Sequence, residues 1–345
     1  MKKQFKCVMA VLMACLLLSG CSKEKLAVTD GEKDVVNEKP TIGISFDSFI
    51  IERWQRDRDV FASTCIDLGA EVLVQNANGV VQEQEAQLNY FIEKGVDAIV
   101  VVPVDCYSLR DEVSKAHKAG IPVIAYDRII MDADEDLYIS FDNEKVGQYM
   151  AETLVDEMPE GGAIMKINGP VKDKNVALIN KGFDAVMAGH DNIKVISETN
   201  VPEWIAEEAY RYLASNNAML VNVDGIMCGN DSLAGQAIKY LTEHRQIDGK
   251  AIVGQDADLD ACQRIIAGTQ AMTVYKPIDD LAKKAAECAV EFANDRKPDD
   301  MEIMEMDGTR VPYIGIEPIK VTKENMDEVI IDSGFHLRED VYLLD

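Results

Sequence analysis

Two tryptophans, three basic side chains and a set of Asp and Asn residues recur at one kind of place in this chain, just past the carboxyl end of a short apolar run. Arg53 and Trp54 follow the run 41–45, and Asp127 and Arg128 follow 121–125. Asp173 and Asn175 come after 163–168, and Trp204 comes after 193–197, just before a helical stretch. Asn230, between Gly229 and Asp231, follows 223–228; Gln255 and Asp256 follow 250–254; Lys276 ends 272–275. Arg and Lys only donate hydrogen bonds, carboxylates only accept, and Asn does both, so together they suit hydroxyl groups. The two indoles, the only ones in the chain, offer flat apolar faces to the C–H side of a ring. The chemistry implied is recognition of a neutral, polyhydroxylated ring. Singly, each residue has a plainer role: Asp127 and Arg128 as a surface pair, Asn230 or Asp231 as a helix cap, Lys276 as a solvated lysine. Their shared position points to a site.

Catalytic patterns are missing. His117, His190, His244 and His336 are scattered among charges without zinc-ligand spacing. There is no Gly-x-Ser-x-Gly elbow, phosphate-binding loop or Gly-x-Gly-x-x-Gly fingerprint, so neither an enzyme nor a bound cofactor or metal is expected.

The elements that must position these residues follow from apolar patterning. Residues 121–125 follow Gly120, a helix stop, and read as a strand buried on both faces. Strands at 41–45, 71–74, 97–103 and 121–125 alternate with helices over about 54–68 and 82–94 and one capped by Ser108, with Asp111 three residues on. Strand 137–140 then leads through Asp142 and Asn143 into a helix over 144–156, and the alternation restarts. Strands at 163–168, 193–197, 223–228, 250–254, 272–275 and 311–316 enclose helices over 175–187, 205–215, 231–243, 259–267 and 277–294. This pattern predicts an α/β fold of two doubly wound parallel-sheet lobes, with the strand ends of both facing one cleft.

The formal net charge of −26 argues against non-specific nucleic-acid binding and against a polybasic membrane patch. It leaves a neutral ligand open. Lys2 and Lys3 precede an apolar stretch over 8–18 that is too short to span a bilayer. That stretch ends in Leu18-Ser19-Gly20-Cys21, which resembles the bacterial lipobox. A signal peptide over 1–20, lipidation of Cys21 and a polar tether over 21–40 are therefore expected, with the folded body on the outer face of the cell membrane. Cys65, Cys106, Cys228, Cys262 and Cys288 remain, without close spacing, and read as buried thiols.

Several longer runs carry a family resemblance: Ile51-Glu52-Arg53-Trp54-Gln55-Arg56-Asp57-Arg58-Asp59, Tyr126-Asp127-Arg128, the run from Tyr138 to Gly147, Gly254-Gln255-Asp256-Ala257-Asp258, and the run from Gly268 to Pro277. The chain resembles the D-xylose-binding proteins, periplasmic-type sugar receptors related to the ribose-binding proteins. The resemblance implies a type I periplasmic binding protein fold with a three-crossing hinge. It implies crossings near Asp142, near Lys276-Pro277 and near Thr309-Pro312, giving lobes of 41–142 plus 277–309 and 143–276 plus 310–345. It further implies that the sugar ring lies between Trp54 and Trp204, with its hydroxyls held at Arg53, Asp127, Arg128, Asp173, Asn175, Asn230, Asp256 and Lys276. The expected function is capture of D-xylose, or a close pentopyranose, and delivery to an ABC permease. The alternative is a xylose sensor that signals through a membrane histidine kinase.

Overall fold

The computed structural model describes residues 39–51 and 53–344. The expected signal peptide, the expected lipidation site Cys21 and most of the expected tether lie outside the described residues. The first sheet is built by β1 (Thr41–Phe46), β2 (Glu71–Asn76), β3 (Ala98–Val101), β4 (Val123–Tyr126) and β5 (Leu137–Phe141), joined through α1 (Arg53–Asp67), α2 (Val81–Lys94) and α3 (Arg110–Lys118). β3, β4 and β5 are buried along their whole length, as expected of apolar strands covered on both faces.

After β5 the chain enters α4 (Asn143–Glu157), β6 (Gly162–Asn168), α5 (Lys174–Met187), β7 (Ile193–Asn200) and α6 (Glu207–Ser215). It continues through β8 (Gly225–Cys228), α7 (Asp231–Glu243), β9 (Ala251–Val253), α8 (Leu259–Ala267) and β10 (Thr273–Tyr275). The second sheet is parallel, in the order β7-β6-β8-β9, and Met272 bridges to Val253 beside it. α4 and α5 approach closely because Gly147 and Gly182 face each other's backbone. An added Cβ would lie 1.9 Å from the Ile179 carbonyl oxygen in one case and 1.8 Å from that of Glu144 in the other.

The chain then returns. α9 (Ile278–Ala293) packs on α1 and on the first sheet, and β11 (Glu302–Met306) pairs antiparallel with β12 (Thr309–Ile316). β12 lies parallel to β5, so the first sheet runs β11-β12-β5-β4-β3-β1-β2. β13 (Ile319–Val321) pairs antiparallel with β10, and α10 (Arg338–Tyr342) packs on α8.

Two expectations need correction. The third crossing is not near Thr309-Pro312: ladder hydrogen bonds keep the chain in the first sheet to Ile316, so residues 310–316 belong there and the chain leaves at Glu317-Pro318. The Asp142 amide donates to the Ile316 carbonyl at 3.2 Å, which sets the first and third connections side by side. Ser108 does not cap α3: its hydroxyl donates to the Asp105 carbonyl, and the helix starts two residues later without a side-chain cap. The five cysteines among the described residues are all buried and unpaired; spacing had left any pairing open. Burial pushes Cys65 and Cys106 up to about 12, which leaves them unreactive.

Candidate functional site

All ten residues singled out in the sequence line one cavity, together with Ile51 and Gln255. All but Lys276 arrive from the carboxyl end of a strand in a parallel ladder; Lys276 follows β10, which pairs antiparallel with β13. Ile51, Arg53 and Trp54 lie between β1 and the first turn of α1, and Asp127 and Arg128 follow β4. Asp173 and Asn175 open α5, and Trp204 sits in a short 3-10 turn after β7. Asn230 caps α7, its side chain accepting from the Leu233 amide at 3.0 Å. Gln255 and Asp256 follow β9, and Lys276 follows β10.

Three of these residues hold backbone that side chains rarely adopt. φ is +64° at Asp127, +56° at Trp204 and +99° at Asp256, a strain of about 1–3 kcal/mol each. Surrounding bonds enforce it. The Asp127 amide donates to Ile139 at 2.7 Å, while its carbonyl accepts from Ser140 Oγ at 2.6 Å, Asn175 Nδ2 at 3.1 Å and Tyr138 OH at 3.2 Å. The turn at Asp256 rests on Asp231, whose carboxylate accepts from Thr273 Oγ1 at 2.6 Å and Gln270 Nε2 at 2.7 Å. Thr273 Oγ1 in turn accepts from the Ala257 amide at 3.1 Å. Burial pushes Asp231 up to about 7.

The charged groups form a buried network. Arg53 meets Asp127 at 3.0 Å and grips Asp57 through two nitrogens at 3.0 and 3.1 Å; the Tyr126 hydroxyl also donates to Asp57. Arg128 lies 2.6 Å from Asp47 and 2.9 Å from Asp173, and Lys276 lies 3.2 Å from Asp256. Burial alone would raise both lining carboxyls Asp127 and Asp173. Arg53, Lys276 and Arg128 together hold Asp127 below the usual carboxylate range. Asp173 has Arg128 as its cation and the Asp127 charge against it, and its proton affinity stays raised.

The pair Arg128–Asp173 joins the two sheets, as does Asn175, which donates from Nδ2 to Asp127 and accepts at Oδ1 from Asn143 at 3.0 Å. At the rim, the Cys106 amide donates to the Lys172 carbonyl at 3.0 Å, and Lys174 pairs with Asp307. The indole of Trp204 is fixed by its Nε1, which donates to Asp173 Oδ2 at 3.1 Å, and by Gly169, where a Cβ would lie 2.3 Å from the ring. Trp54 is buried against Phe46, with the Arg53 guanidinium 4.4 Å from its ring centre. Trp54 Nε1 and Gln255 Oε1 are buried and have no hydrogen-bond partner among the described residues. Buried polar atoms are rarely left unmatched, so a group inside the cavity is their natural partner.

Chemically, the lining carries three cations, three carboxylates, three amides, two indoles and one aliphatic side chain. Its charges cancel, which suits a neutral guest with many hydroxyls. The histidines stand apart from this cavity; His117 pairs with Asp136 at 2.9 Å and His244 stacks on Tyr240. No cluster of His, Cys, Asp and Glu among the described residues is arranged to hold a metal ion.

Sequence reasoning missed four contributors. Gln255 was in the strand-end set beside Asp256 but was not carried into the site, and Ile51 stood in the Arg53-Trp54 run without a polar group to mark it. Asp47 and Asp57 lie behind the two arginines; only the i,i+4 spacing of Arg53 and Asp57 could have signalled the second.

Comparison with known proteins places this arrangement. A family model described as "Periplasmic binding protein domain" matches residues 42–297. The D-xylose-binding periplasmic protein of Haemophilus influenzae is 42% identical over 308 residues, 87% of this chain and 92% of that protein. The protein of the same name from Escherichia coli is 42% identical over 301 residues, 86% of this chain and 90% of that one. Among solved structures, an ABC transporter solute-binding protein from Clostridium phytofermentans with bound β-D-glucose superposes with a TM-score of 0.79 at 26% identity, covering 87% of this chain and 99% of that one. These relatives bear the names of binding proteins, not of enzymes. With its two parallel α/β sheets and a cavity at their facing strand ends, the chain belongs to the periplasmic binding protein family and has the type I fold of that family.

Proposed function

We propose that this protein captures D-xylose, or a close pentopyranose, in the cavity between its two sheets. The observation that carries the reading is the charge-balanced polar lining with two indoles, one from the end of β1 and one from the end of β7. Trp54 and Trp204 cover the two ring faces. Arg53, Asp127, Arg128, Asp173, Asn175, Asn230, Asp256 and Lys276 hold the hydroxyls, joined by Gln255. Trp54 Nε1 and Gln255 Oε1 find in the sugar the partners they lack among the described residues. The two 42%-identical relatives, both named for D-xylose, support the choice of sugar.

The lobes are 41–142 with 277–316, and 143–276 with 317–345, hinged at the three connections, and they close on the ligand. Cys21 carries a lipid that holds the body outside the cytoplasmic membrane, where it delivers sugar to an ATP-driven permease. The name of the 26%-identical solved structure, an ABC transporter solute-binding protein, supports that role.

Calorimetry against D-xylose, D-ribose and D-glucose tests the ligand: one site per chain is expected, with xylose tightest. Overfilling a packed cavity with a hexose's extra hydroxymethyl costs about 1–3 kcal/mol. Glucose or ribose bound as tightly as xylose refutes the assignment. For the anchor, metabolic labelling with a radioactive fatty acid should mark the wild type and leave the Cys21→Ala protein unlabelled. A label that persists in Cys21→Ala refutes it.

A further inference from the structure

Nine of the twelve side chains lining the cavity are polar and two are indoles, which leaves one aliphatic group, Ile51. It is 8% exposed, and its carbonyl accepts from the Trp54 amide at 3.3 Å, so the turn that presents Trp54 also fixes Ile51. A pentopyranose has a matching asymmetry. Its anomeric carbon and the three that follow each carry a hydroxyl, and the ring oxygen accepts; the remaining ring methylene offers nothing to hydrogen-bond.

A hydroxyl facing Ile51 would lose its water without gaining a partner, whereas at every other edge it meets a donor or an acceptor. The ring therefore seats with its methylene edge against Ile51. In a hexopyranose that same carbon bears the hydroxymethyl group, which would meet Ile51 both as a steric obstacle and as a surface without hydrogen bonds. From this match, which rests on the pentopyranose reading above, we propose that Ile51 is the residue that selects pentopyranoses over hexopyranoses.

The test is titration of D-xylose and D-glucose into wild type, Ile51→Ala and the milder Ile51→Val, with each protein's melting curve recorded. Ile51→Ala is expected to weaken xylose and tighten glucose, narrowing the preference for xylose by about tenfold or more, the scale on which small steric differences in a pocket discriminate. Ile51→Val should shift the ratio the same way by a smaller factor, and it serves as the readout if the alanine protein does not fold. Normal xylose binding with an unchanged xylose-to-glucose ratio in a folded variant overturns the role of Ile51 and leaves the ligand assignment standing. A wild type that binds no pentose overturns the ligand assignment itself, and the role of Ile51 with it.

Discussion

Gly169→Ala is the substitution that tests the site most directly. Gly169 does not have left-handed backbone, so alanine is conformationally acceptable and only its methyl group matters. That methyl would lie 2.3 Å from Cζ2 and Cη2 of Trp204 and 2.6 Å from Cζ3, whereas ordinary contact begins at 3.4 Å. The indole must therefore retreat by roughly 1 Å, a displacement that packed interiors absorb poorly. It cannot retreat freely. Trp204 lines the cavity and donates to Asp173 at 3.1 Å, so relief of the clash either intrudes on the cavity or breaks that bond. Overpacking of this kind costs about 1–3 kcal/mol. If it falls on the closed, liganded form, xylose affinity drops by about five- to 150-fold. Calorimetry with purified Gly169→Ala reads the loss, and a melting curve shows whether the fold survives. A folded Gly169→Ala protein that binds xylose as the wild type does would mean that Trp204 is not a wall of the sugar site.

Asp127→Ala and Arg128→Ala are each expected to weaken xylose binding by about 2–5 kcal/mol, since each leaves a buried charged partner unmatched; affinity within threefold of wild type in a folded protein would relocate the site. Stability should depend on pH through Asp231: the folded protein keeps that proton up to about pH 7, while the unfolded chain loses it near pH ~4. Between those values the folded state binds more protons, so stability falls as pH rises, by on the order of a few kcal/mol. Melting curves at about pH 5 and about pH 8 should diverge for the wild type and converge for Asp231→Asn; an unchanged pH dependence in the mutant would remove Asp231 as the source. Gly147→Ala, with its methyl 1.9 Å from the Ile179 carbonyl oxygen, should lower the melting temperature sharply by prying α4 from α5, and a normal melt would show that this helix pair can separate at little cost.

How much of this was legible follows from which signals are local. Strand ends were readable because a run such as Val123-Ile124-Ala125-Tyr126 is apolar throughout and gives way at once to Asp127 and Arg128. Parallel topology then gathers nine of the ten residues at one cavity, and Lys276 joins them from the end of β10 beside the second sheet. What stayed hidden depends on long-range pairing. β11 and β13 are short, partly exposed edge strands, and nothing in Glu302–Met306 or Ile319–Val321 announces a partner. The boundary placed at Thr309 failed because Val311–Ile316 reads as a strand without showing which sheet it joins, and it pairs with β5 of the first. Ile51 was invisible for the opposite reason: an isoleucine beside a helix start looks like core until a cavity opens next to it.

The bond between Arg128 and Asp173 has a consequence for the economy of uptake. The two residues come from different sheets, so on the reading proposed above part of what would hold the cleft shut is supplied by the protein itself. A receptor that closed in this way would spend some of its time shut and idle; minor states of two-state proteins typically reach about 0.1–10%. A membrane partner that recognises only the outer contour of the shut form would engage these idle molecules too. Their abundance sets a floor on futile cycling when no pentose is present, and the strength of one arginine–aspartate pair is a dial on that floor. Weakening it would sharpen the distinction between fed and starved cells while lowering the affinity for the sugar, so the two properties are bound to trade against each other.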